Sequence, residues 1–301
     1  MREPRKPWRR GTQITAACGL KSRGAAQTIS TSGLNAGMPR IAFDGQNQAT
    51  VVWEQSTTSS SCALKALRGS AGHGFGAAQT LSSTCYGFVD LAVNSLGQAV
   101  AVQGAPGIVS GPIVAVARDT NGVWAAPVTL ATSVYRQRQP KAGLGNEGTA
   151  VVVWLTRGGV SYAVRSNGSW SSAAPLPGVL AGRAGGVSGV AVDAGGNAVA
   201  TFDLTSLTPG NFATYRPVNG TWQTPVQIPV APIPIKASPA GTFVVGSGST
   251  VATRLAGSST WKSTSFSTGQ IVDVAAGPGL AIVTLSGVAP DSIAVSTASV
   301  P

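Results

Sequence analysis

The sequence contains few of the residues from which catalytic and metal sites are built. Among 301 residues there are ten acidic side chains, one histidine and three cysteines. The histidine, His73, lies in a glycine-rich segment that predicts an exposed turn, which is an unfavourable setting for a general base. No serine-nucleophile motif, phosphate-binding glycine loop or Cys/His metal spacing occurs. The sequence therefore predicts no cofactor and no metal, and it favours a protein that is not an enzyme.

Long apolar runs and helical periodicity are absent as well. No apolar run approaches the roughly 18 residues of a membrane-spanning helix, so we expect no membrane span. Nowhere do apolar residues recur with the period of an amphipathic helix. Charged residues make up only 10% of the chain, whereas 43% of the residues are apolar and 39 are glycines. Such a composition is typical of many short buried strands joined by tight turns, and it predicts an all-β fold.

What the sequence does contain is one unit that is repeated along the chain. The unit is clearest at residues 186–229, where four short runs of β-branched and small apolar residues alternate with Gly, Asn, Pro and Ser clusters. Such runs predict strands, and such clusters predict turns. Pro225 places the fourth strand at a sheet edge, because proline cannot donate a ladder hydrogen bond. The strands, named a to d, are predicted at residues 189–192, 198–202, 212–216 and 222–228.

Four antiparallel strands with the last one at an edge describe one blade of a β-propeller. Further copies lie at residues 38–82, 87–132, 139–177 and 233–268, with the period of about 40 to 50 residues that such blades have. Residues 271–300 supply only three strands, and the missing strand is predicted at residues 24–30, which nearly duplicate residues 76–82. This N-terminal strand would close the last blade and remove its open edge. The sequence thus predicts a single, monomeric six-bladed β-propeller over residues 24–301.

Positive charge is concentrated in an N-terminal segment that does not fit the repeat. The chain has a formal net charge of +11, and its first ten residues include Arg2, Arg5, Lys6, Arg9 and Arg10. Residues 1–23 are predicted to be a disordered basic tail. Their charged start resembles that of a secretory signal, but the apolar stretch of such a signal is missing. Because the remaining charge is spread over the copies, we predict no nucleic-acid binding.

Five further arginines recur with the repeat, one at the end of each strand c. An arginine stem packs on apolar surface and its guanidinium stacks on aromatic rings. Each arginine is therefore expected to brace the turn that follows it and the Trp or Phe of that turn. The alternative interpretation is a ring of anion-binding sites. The five residues are Arg68, Arg118, Arg165, Arg216 and Arg254.

Two of the three cysteines are predicted to lie close together. Cys62 begins strand c of the first copy and Cys85 follows its strand d, so the alternation of strand direction puts both at the same end of the blade. This placement predicts a disulfide and an oxidising, extracytoplasmic compartment, with Cys18 left unpaired. The alternative is two separate thiols.

Charged residues recur on strand a, which is the innermost strand of each predicted blade. When the copies are aligned, the second position of strand a is charged in five of six copies, and neighbouring copies carry unlike charges in several places. These residues are expected to form a ring near one mouth of the central channel. The ring either neutralises itself or binds a polar ligand, and it is the predicted ligand site. Its members are Arg40, Asp90, Lys141, Lys236 and Asp273.

Two sequence motifs of the repeat resemble those of a known group of proteins. Residues 192–198 read Val-Asp-Ala-Gly-Gly-Asn-Ala, and residues 219–226 read Asn-Gly-Thr-Trp-Gln-Thr-Pro-Val. In these segments the chain resembles secreted bacterial β-propeller repeat proteins and, more distantly, sialidase-like propellers. The resemblance implies a secreted or extracytoplasmic protein. The Ser-x-Asp-x-Gly-x-x-Trp box of sialidases is absent from every copy, and the sialidase catalytic residues have no counterparts that can be matched one by one.

Three functions are compatible with these observations. The leading hypothesis is a non-catalytic binding module for a glycan or a protein partner, which binds at variable loops on one propeller face. The first alternative is a sialidase-like glycoside hydrolase, for which Asp90 and Asp273 supply the two carboxylates. The second alternative is a structural scaffold. The variable loops are residues 56–61, 104–111 and 203–209.

Overall fold

A computed structural model describes the greater part of the chain. The described residues are 15–16, 27–58, 61–70, 73–105, 111–134, 138–157, 159–179, 184–205, 209–231, 235–266, 270–277, 280–286 and 293–299. The predicted tail, residues 1–23, lies outside this part of the chain except for Thr15 and Ala16. Segments of all three predicted binding loops also lie outside it.

Every regular element in the described residues is a β-strand, which confirms the all-β prediction. In that part of the chain there is accordingly no helix with the length and apolar character to cross a membrane. The chain divides into two compact units, residues 1–140 and 141–301. That residues 24–301 form a single domain stays a prediction.

The first unit contains a short two-stranded ladder and two larger antiparallel sheets. The ladder pairs β1 (Thr15–Ala16) with β2 (Gln27–Thr28). The first sheet contains β3 (Ala36–Phe43), β4 (Gln48–Ser56), β5 (Cys62–Ser70), β6 (Gly74–Phe75) and β7 (Gln79–Ser82). The second sheet contains β8 (Phe88–Val93), β9 (Ala99–Gly104), β10 (Gly111–Arg118) and β11 (Val128–Val134).

Four more antiparallel sheets follow, the first of which begins at the boundary of the second unit. The third sheet contains β12 (Arg138–Leu144), β13 (Ala150–Thr156), β14 (Gly159–Ser166), β15 (Ser169–Trp170) and β16 (Ala174–Pro175). The fourth contains β17 (Ala184–Val192), β18 (Ala198–Leu204), β19 (Gly210–Arg216) and β20 (Val226–Ile228). The fifth contains β21 (Ile235–Ala237), β22 (Phe243–Ser247), β23 (Thr250–Arg254) and β24 (Lys262–Ser265). The sixth contains β25 (Gln270–Gly277), β26 (Leu280–Ser286) and β27 (Ile293–Ser299).

The strand order within the sheets is the one that the repeat predicts. Strands a, b and c of each sheet lie side by side in chain order, and strand d pairs with the outer edge of strand c. In the first and third sheets strand d is split into two short pieces, β6 with β7 and β15 with β16. Four-stranded antiparallel sheets of the type found in propeller blades are therefore confirmed. Their number in a closed ring stays a prediction.

The turn between strands a and b has the chemistry that its sequence predicts. In the first sheet Asp44 Oδ1 accepts hydrogen bonds from the backbone N–H groups of Gln46 and Gln48, at 3.0 and 2.8 Å. Asn47 closes the turn in the left-handed region, with a φ of 58°. Asparagine tolerates that conformation better than most residues. The equivalent Asp193 likewise accepts a backbone N–H bond within its own turn.

The core lies between neighbouring sheets. Between the third and fourth sheets one buried cluster joins Val153 of β13, Val190 of β17 and Phe202 of β18 with Trp222, which precedes β20. Tyr162 of β14 packs against this cluster. Strand b of the third sheet, β13, is buried along most of its length, so its apolar residues form a continuous run and do not alternate with polar ones.

The N-terminal strand is only partly described. Of the predicted residues 24–30, Gln27 and Thr28 form β2, and the ladder described for β2 is with β1. The side chain of Gln27 accepts a hydrogen bond from the N–H group of Phe75, next to the first sheet. Among the described residues, β27 is the outer strand of a three-stranded sheet. The predicted pairing of residues 24–30 with the last sheet stays a prediction.

The disulfide prediction is confirmed. Cys62 and Cys85 are bonded, with their Cα atoms 5.5 Å apart and a sequence separation of 23. Cys62 begins β5 and Cys85 precedes β8, so the bond ties strand c of the first sheet to the connection that leads into the second sheet. Cys18 lies outside the described residues.

Candidate functional site

The structure brings the first two residues of the predicted charged ring together. Arg40 on β3 and Asp90 on β8 form an ion pair, in which Arg40 Nε lies 3.8 Å from Asp90 Oδ1. Both residues lie four positions before the residue that begins the a–b turn, which is Asp44 in the first sheet and Asn94 in the second. Their side chains are 39% and 20% exposed, so solvent screens the pair and it adds little stability.

The other three members of the ring belong to the second unit, and their placements differ. Lys141 on β12 is half-buried and lies four residues before the first turn residue, Gly145. Lys236 on β21 is exposed and lies only two residues before Ser238, so the aligned register is corrected there by two positions. Asp273 lies on β25, but its side chain is outside the described residues. The ligand role of the five residues stays a prediction.

One carboxylate that the sequence analysis did not single out is sealed inside the first unit. Glu54 on β4 has no exposed surface. It accepts backbone N–H bonds from Tyr86 at 2.7 Å and from Gly87 at 3.0 Å. Burial raises the pKa of Glu54, and the two hydrogen bonds oppose that rise only in part. A ligand cannot reach this carboxyl group, so its role is to hold the connection between the first and second sheets.

The strand-c arginines of the first unit are engaged by protein groups. Arg68 Nη2 lies 2.9 Å from Asp44 Oδ2. Arg118 is buried, donates a hydrogen bond to Thr50 Oγ1 and lies 5.1 Å from the ring centroid of Trp124. Burial lowers the pKa of Arg118 to about 10, and the nearby charge of Arg68 adds to that decrease. The predicted bracing of a turn aromatic is therefore confirmed for Arg118.

Arg254, in the second unit, braces the preceding sheet and not its own turn. Its guanidinium carbon lies 3.7 Å from the ring centroid of Tyr215 on β19. The repeat predicted that Arg254 would instead brace its own following turn, whose aromatic residue is Trp261. Burial is the main cause that lowers the pKa of Arg254. The correction follows from the packing of the sheets, because Tyr215 fills the space between the fourth and fifth sheets into which Arg254 points.

Arg216 lies at an open crevice between the third and fourth sheets. The crevice has a volume of about 390 Å³. Trp170 is half-buried and supplies an aromatic wall together with Tyr162. Arg216 Nη1 is buried and has no hydrogen-bond partner. Hydroxyl groups complete the lining, from Ser166, Ser169, Ser171 and Thr221.

Two crevices differ in the residue that precedes the strand-c arginine of the earlier sheet. Between the fourth and fifth sheets this residue is Tyr215, whose ring lies against Arg254 and leaves a cavity of only about 20 Å³. Between the third and fourth sheets the equivalent residue is Val164, which lacks a ring. The guanidinium of Arg216 therefore borders open space.

Sequence analysis identified Arg216 but not the crevice beside it. A signal for the crevice exists, because the position before the strand-c arginine holds one aromatic residue in the five copies. These residues are Leu67, Ala117, Val164, Tyr215 and Thr253. The sequence does not show, however, that this position faces the arginine of the next copy. That relation depends on how successive sheets stack.

The crevice can bind a polar, ring-shaped molecule. Aromatic walls contact the apolar faces of such a ring, and a few convergent polar groups orient it. None of the described residues that line the crevice is acidic. Across the described part of the chain there is also no group of three or more His, Cys, Asp or Glu side chains that could hold a metal ion. The crevice therefore offers binding groups without a general acid or base of the carboxylate type.

Comparison with protein-family models and with characterised proteins finds no match. Solved structures are similar in fold. A Dyadobacter fermentans protein of unknown function has a TM-score of 0.53 and 12% identity, over 96% of this chain and 98% of that one. AofleA from Arthrobotrys oligospora has a TM-score of 0.51 and 15% identity, over 86% of this chain and 85% of that one.

An enzyme is also similar, at a lower level. The microbial sialidase Hz136 has a TM-score of 0.48 and 12% identity, over 88% of this chain and 65% of that one. A similarity of that size carries no argument about function. The two similarities with a TM-score above 0.5 concern the fold alone, and a shared fold does not determine an activity.

Proposed function

We propose that the protein is a non-catalytic binding module whose ligand is a glycan, bound in the crevice between the third and fourth sheets. One observation carries the proposal. A single open crevice is lined by Tyr162, Trp170 and Arg216, and Arg216 has no salt-bridge partner among the described residues. The proposed ligand site is therefore the crevice beside Arg216 and not the variable loops at residues 56–61, 104–111 and 203–209.

A sugar residue matches the crevice in shape and in chemistry. One face of a pyranose ring presents C–H groups, which pack on an aromatic side chain such as Trp170. The hydroxyl groups around the ring need hydrogen-bond partners, which Arg216, Ser169 and Thr221 supply. A volume of about 390 Å³ falls in the range of about 300–1,000 Å³ typical of small-molecule sites. These properties favour a glycan over a protein partner, which would need a wider contact surface.

Binding without hydrolysis follows from where the carboxylates lie. Glycoside hydrolysis generally needs two carboxyl groups that flank the scissile bond. Glu54 is sealed by backbone N–H groups, and Asp90 is paired with Arg40. The described lining of the crevice contains no acidic residue. The hydrolase alternative therefore requires carboxylates from outside the crevice, such as Asp90 and Asp273.

Replacing Trp170 with alanine tests the proposed function. We expect the protein to bind glycans on an array of neutral and acidic sugars, and the Trp170→Ala variant to bind the best of them at least tenfold more weakly in calorimetric titration. The control is Trp124→Ala, because Trp124 is also half-buried and holds the matching position of its own copy. An array without any bound glycan, or equal affinities for Trp170→Ala and the parent protein, would contradict the proposal.

The ion pair between Arg40 and Asp90 supports the charged ring as a second candidate ligand site. Its proposed members remain Arg40, Asp90, Lys141, Lys236 and Asp273. The same titration with Asp90→Ala separates the two sites. A ligand site in the ring requires that Asp90→Ala lose affinity, whereas a purely structural ion pair requires that it lose only thermal stability.

We further propose that the six sheets close into one monomeric propeller in an extracytoplasmic compartment. The duplicated spelling of residues 24–30 and 76–82 supports the closure, and the disulfide between Cys62 and Cys85 suits an oxidising compartment. If residues 24–30 supply the missing strand, deletion of residues 1–30 lowers the melting temperature sharply, whereas deletion of residues 1–19 does not. Equal and small effects of the two deletions in thermal unfolding would contradict closure.

A further inference from the structure

We infer that the group held by Arg216 is a carboxylate, so that the crevice selects acidic sugar residues such as hexuronates over neutral hexoses. This inference rests on the proposed glycan-binding function and adds the charge of the ligand. It comes from a comparison of Arg216 with the arginines that hold the same position in other copies of the repeat.

The positive charge of Arg216 is not compensated by the protein. Arg68 is paired with Asp44, and Arg254 lies on the ring of Tyr215. In the part of the chain that the structure describes, Arg216 has no acidic partner within salt-bridge distance. It is also the one charged side chain among the described residues that line the crevice. A bound anion would therefore supply the counter-charge that the fold omits at this position.

The geometry of the guanidinium group favours a carboxylate over a hydroxyl. Arginine presents parallel N–H groups that match the two oxygens of a carboxylate, and such charge-assisted bonds are roughly twice as strong as neutral ones. Arg216 is half-buried and lines the crevice, so a ligand in the crevice can contact its side chain. A neutral sugar hydroxyl would satisfy one N–H group but would leave the charge without a counter-ion.

The anion must be carried on a ring to use the rest of the crevice. Trp170 and Tyr162 offer apolar surface, which a small inorganic anion does not contact. Ser169 and Thr221 can bond hydroxyl groups that project from the same ring. An acidic sugar places a carboxylate, hydroxyl groups and a C–H face on one rigid ring. It is thus the ligand class that uses all three kinds of group in the crevice.

A matched pair of ligands tests the inference. Methyl β-glucuronide and methyl β-glucoside share one ring and differ in whether C6 is a carboxylate or a hydroxymethyl group. We expect the full-length protein to bind the glucuronide at least tenfold more tightly in NMR titration. The ratio should fall as salt is added, because the crevice is open to solvent and salt screens the charge.

Variants assign the preference to one side chain. We expect Arg216→Gln to remove the preference for the acid, because glutamine keeps hydrogen-bonding groups but has no charge. The control is Arg165→Gln, since Arg165 ends the preceding strand c and does not line the crevice; its ratio of affinities should match that of the parent protein. Val164→Tyr provides an independent test, because tyrosine at the equivalent position 215 leaves little space in the neighbouring crevice. We expect Val164→Tyr to weaken glucuronide binding at least tenfold with Arg216 intact.

The outcomes separate the inference from the function on which it rests. Equal affinities for the two glycosides, or binding of neither, would overturn the inference. Equal binding of glucose 6-sulfate and the glucuronide would also overturn it, because the site would then recognise anions in general. Glucuronide binding that survives both Arg216→Gln and Val164→Tyr would show that the acid binds elsewhere. The failure of every glycan on the array, or an unchanged affinity in Trp170→Ala, would overturn the proposed function as well.

Discussion

Replacement of Phe202 with alanine is expected to lower the free energy of unfolding by about 3–5 kcal/mol, the usual cost of removing a large buried aromatic side chain. Phe202 is 1% exposed in the cluster between the third and fourth sheets. Its ring stacks on Phe212 of the adjacent strand, with the ring centroids 6.1 Å apart. Val164 belongs to this cluster and Tyr162 packs against it, and both residues line the crevice. The loss should therefore appear in urea unfolding and in weakened glycan binding.

The control for this prediction is Phe43→Ala, which removes the same atoms from an exposed position. Phe43 ends β3 and is 56% exposed, so its removal leaves no cavity. We expect a change within about 0.5 kcal/mol, as for most surface substitutions. Similar losses for the two variants would show that Phe202 is not packed as the structure describes.

Replacement of Glu54 with leucine is expected to be the second large effect. Leucine has a similar size but cannot accept the hydrogen bonds that Tyr86 and Gly87 donate to the carboxylate. Each buried N–H group left without a partner costs about 1–3 kcal/mol, so we expect a total loss of about 2–6 kcal/mol in urea unfolding. Glu54→Gln keeps one acceptor oxygen and should lose much less. Equal losses for Leu and Gln would show that the hydrogen bonds do not carry the effect.

The raised pKa of Glu54 makes a separate prediction about pH. Burial raises the pKa of Glu54 in the folded state above its ordinary value of 4.5, so the folded state binds this proton more tightly than the unfolded state does. The stability that this tighter proton binding contributes is complete at pH values below the pKa of Glu54 in the unfolded state. It is lost as pH rises through the pKa of Glu54 in the folded state. Glu54→Gln removes that contribution. We therefore expect the free energy of unfolding of the parent protein, relative to that of Glu54→Gln, to be higher at pH 4.5 than at pH 7.5. A difference that does not change with pH would contradict a raised pKa of Glu54.

Asp203 is a second carboxyl group that makes the stability of the protein depend on pH. Burial also raises the pKa of Asp203, and its backbone hydrogen bonds again oppose the rise only in part. The stability of the parent protein thus varies with pH through at least two carboxyl groups. Because Asp203 is unchanged in Glu54→Gln, the difference between the two proteins isolates the contribution of Glu54.

The sequence by itself determined the strands, the turns and the disulfide, because each depends on local chemistry or on strand direction. Runs of β-branched residues predicted strands a, b and c of the fourth sheet at positions that lie within β17, β18 and β19. Asp44 and Asn47 specify their turn through hydrogen bonds and a left-handed backbone conformation within five residues. Alternation of strand direction was enough to put Cys62 and Cys85 at the same end of the first sheet.

The register of strand a shows where local pattern stops being informative. Lys236 was aligned with Arg40, but it lies two residues closer to its turn. A shift by two residues keeps a side chain on the same face of the strand, so the alternation of apolar and polar residues is unchanged. The fifth copy is shorter than the others, and only the hydrogen bonds of its turn reveal the shift.

Only the tertiary structure decided which side chains from different copies meet. The sequence showed five equivalent arginines, but it did not show which of them face side chains of the preceding sheet. Arg254 meets Tyr215, whereas Arg216 borders a crevice because the matching residue is Val164. Glu54 likewise became a buried acceptor because the segment that follows Cys85 folds over it. The physical reason is that the space between two sheets depends on the sizes of side chains that are distant in sequence. The repeat predicts where a residue lies within its own sheet, but it does not predict how much space the neighbouring sheet leaves beside it.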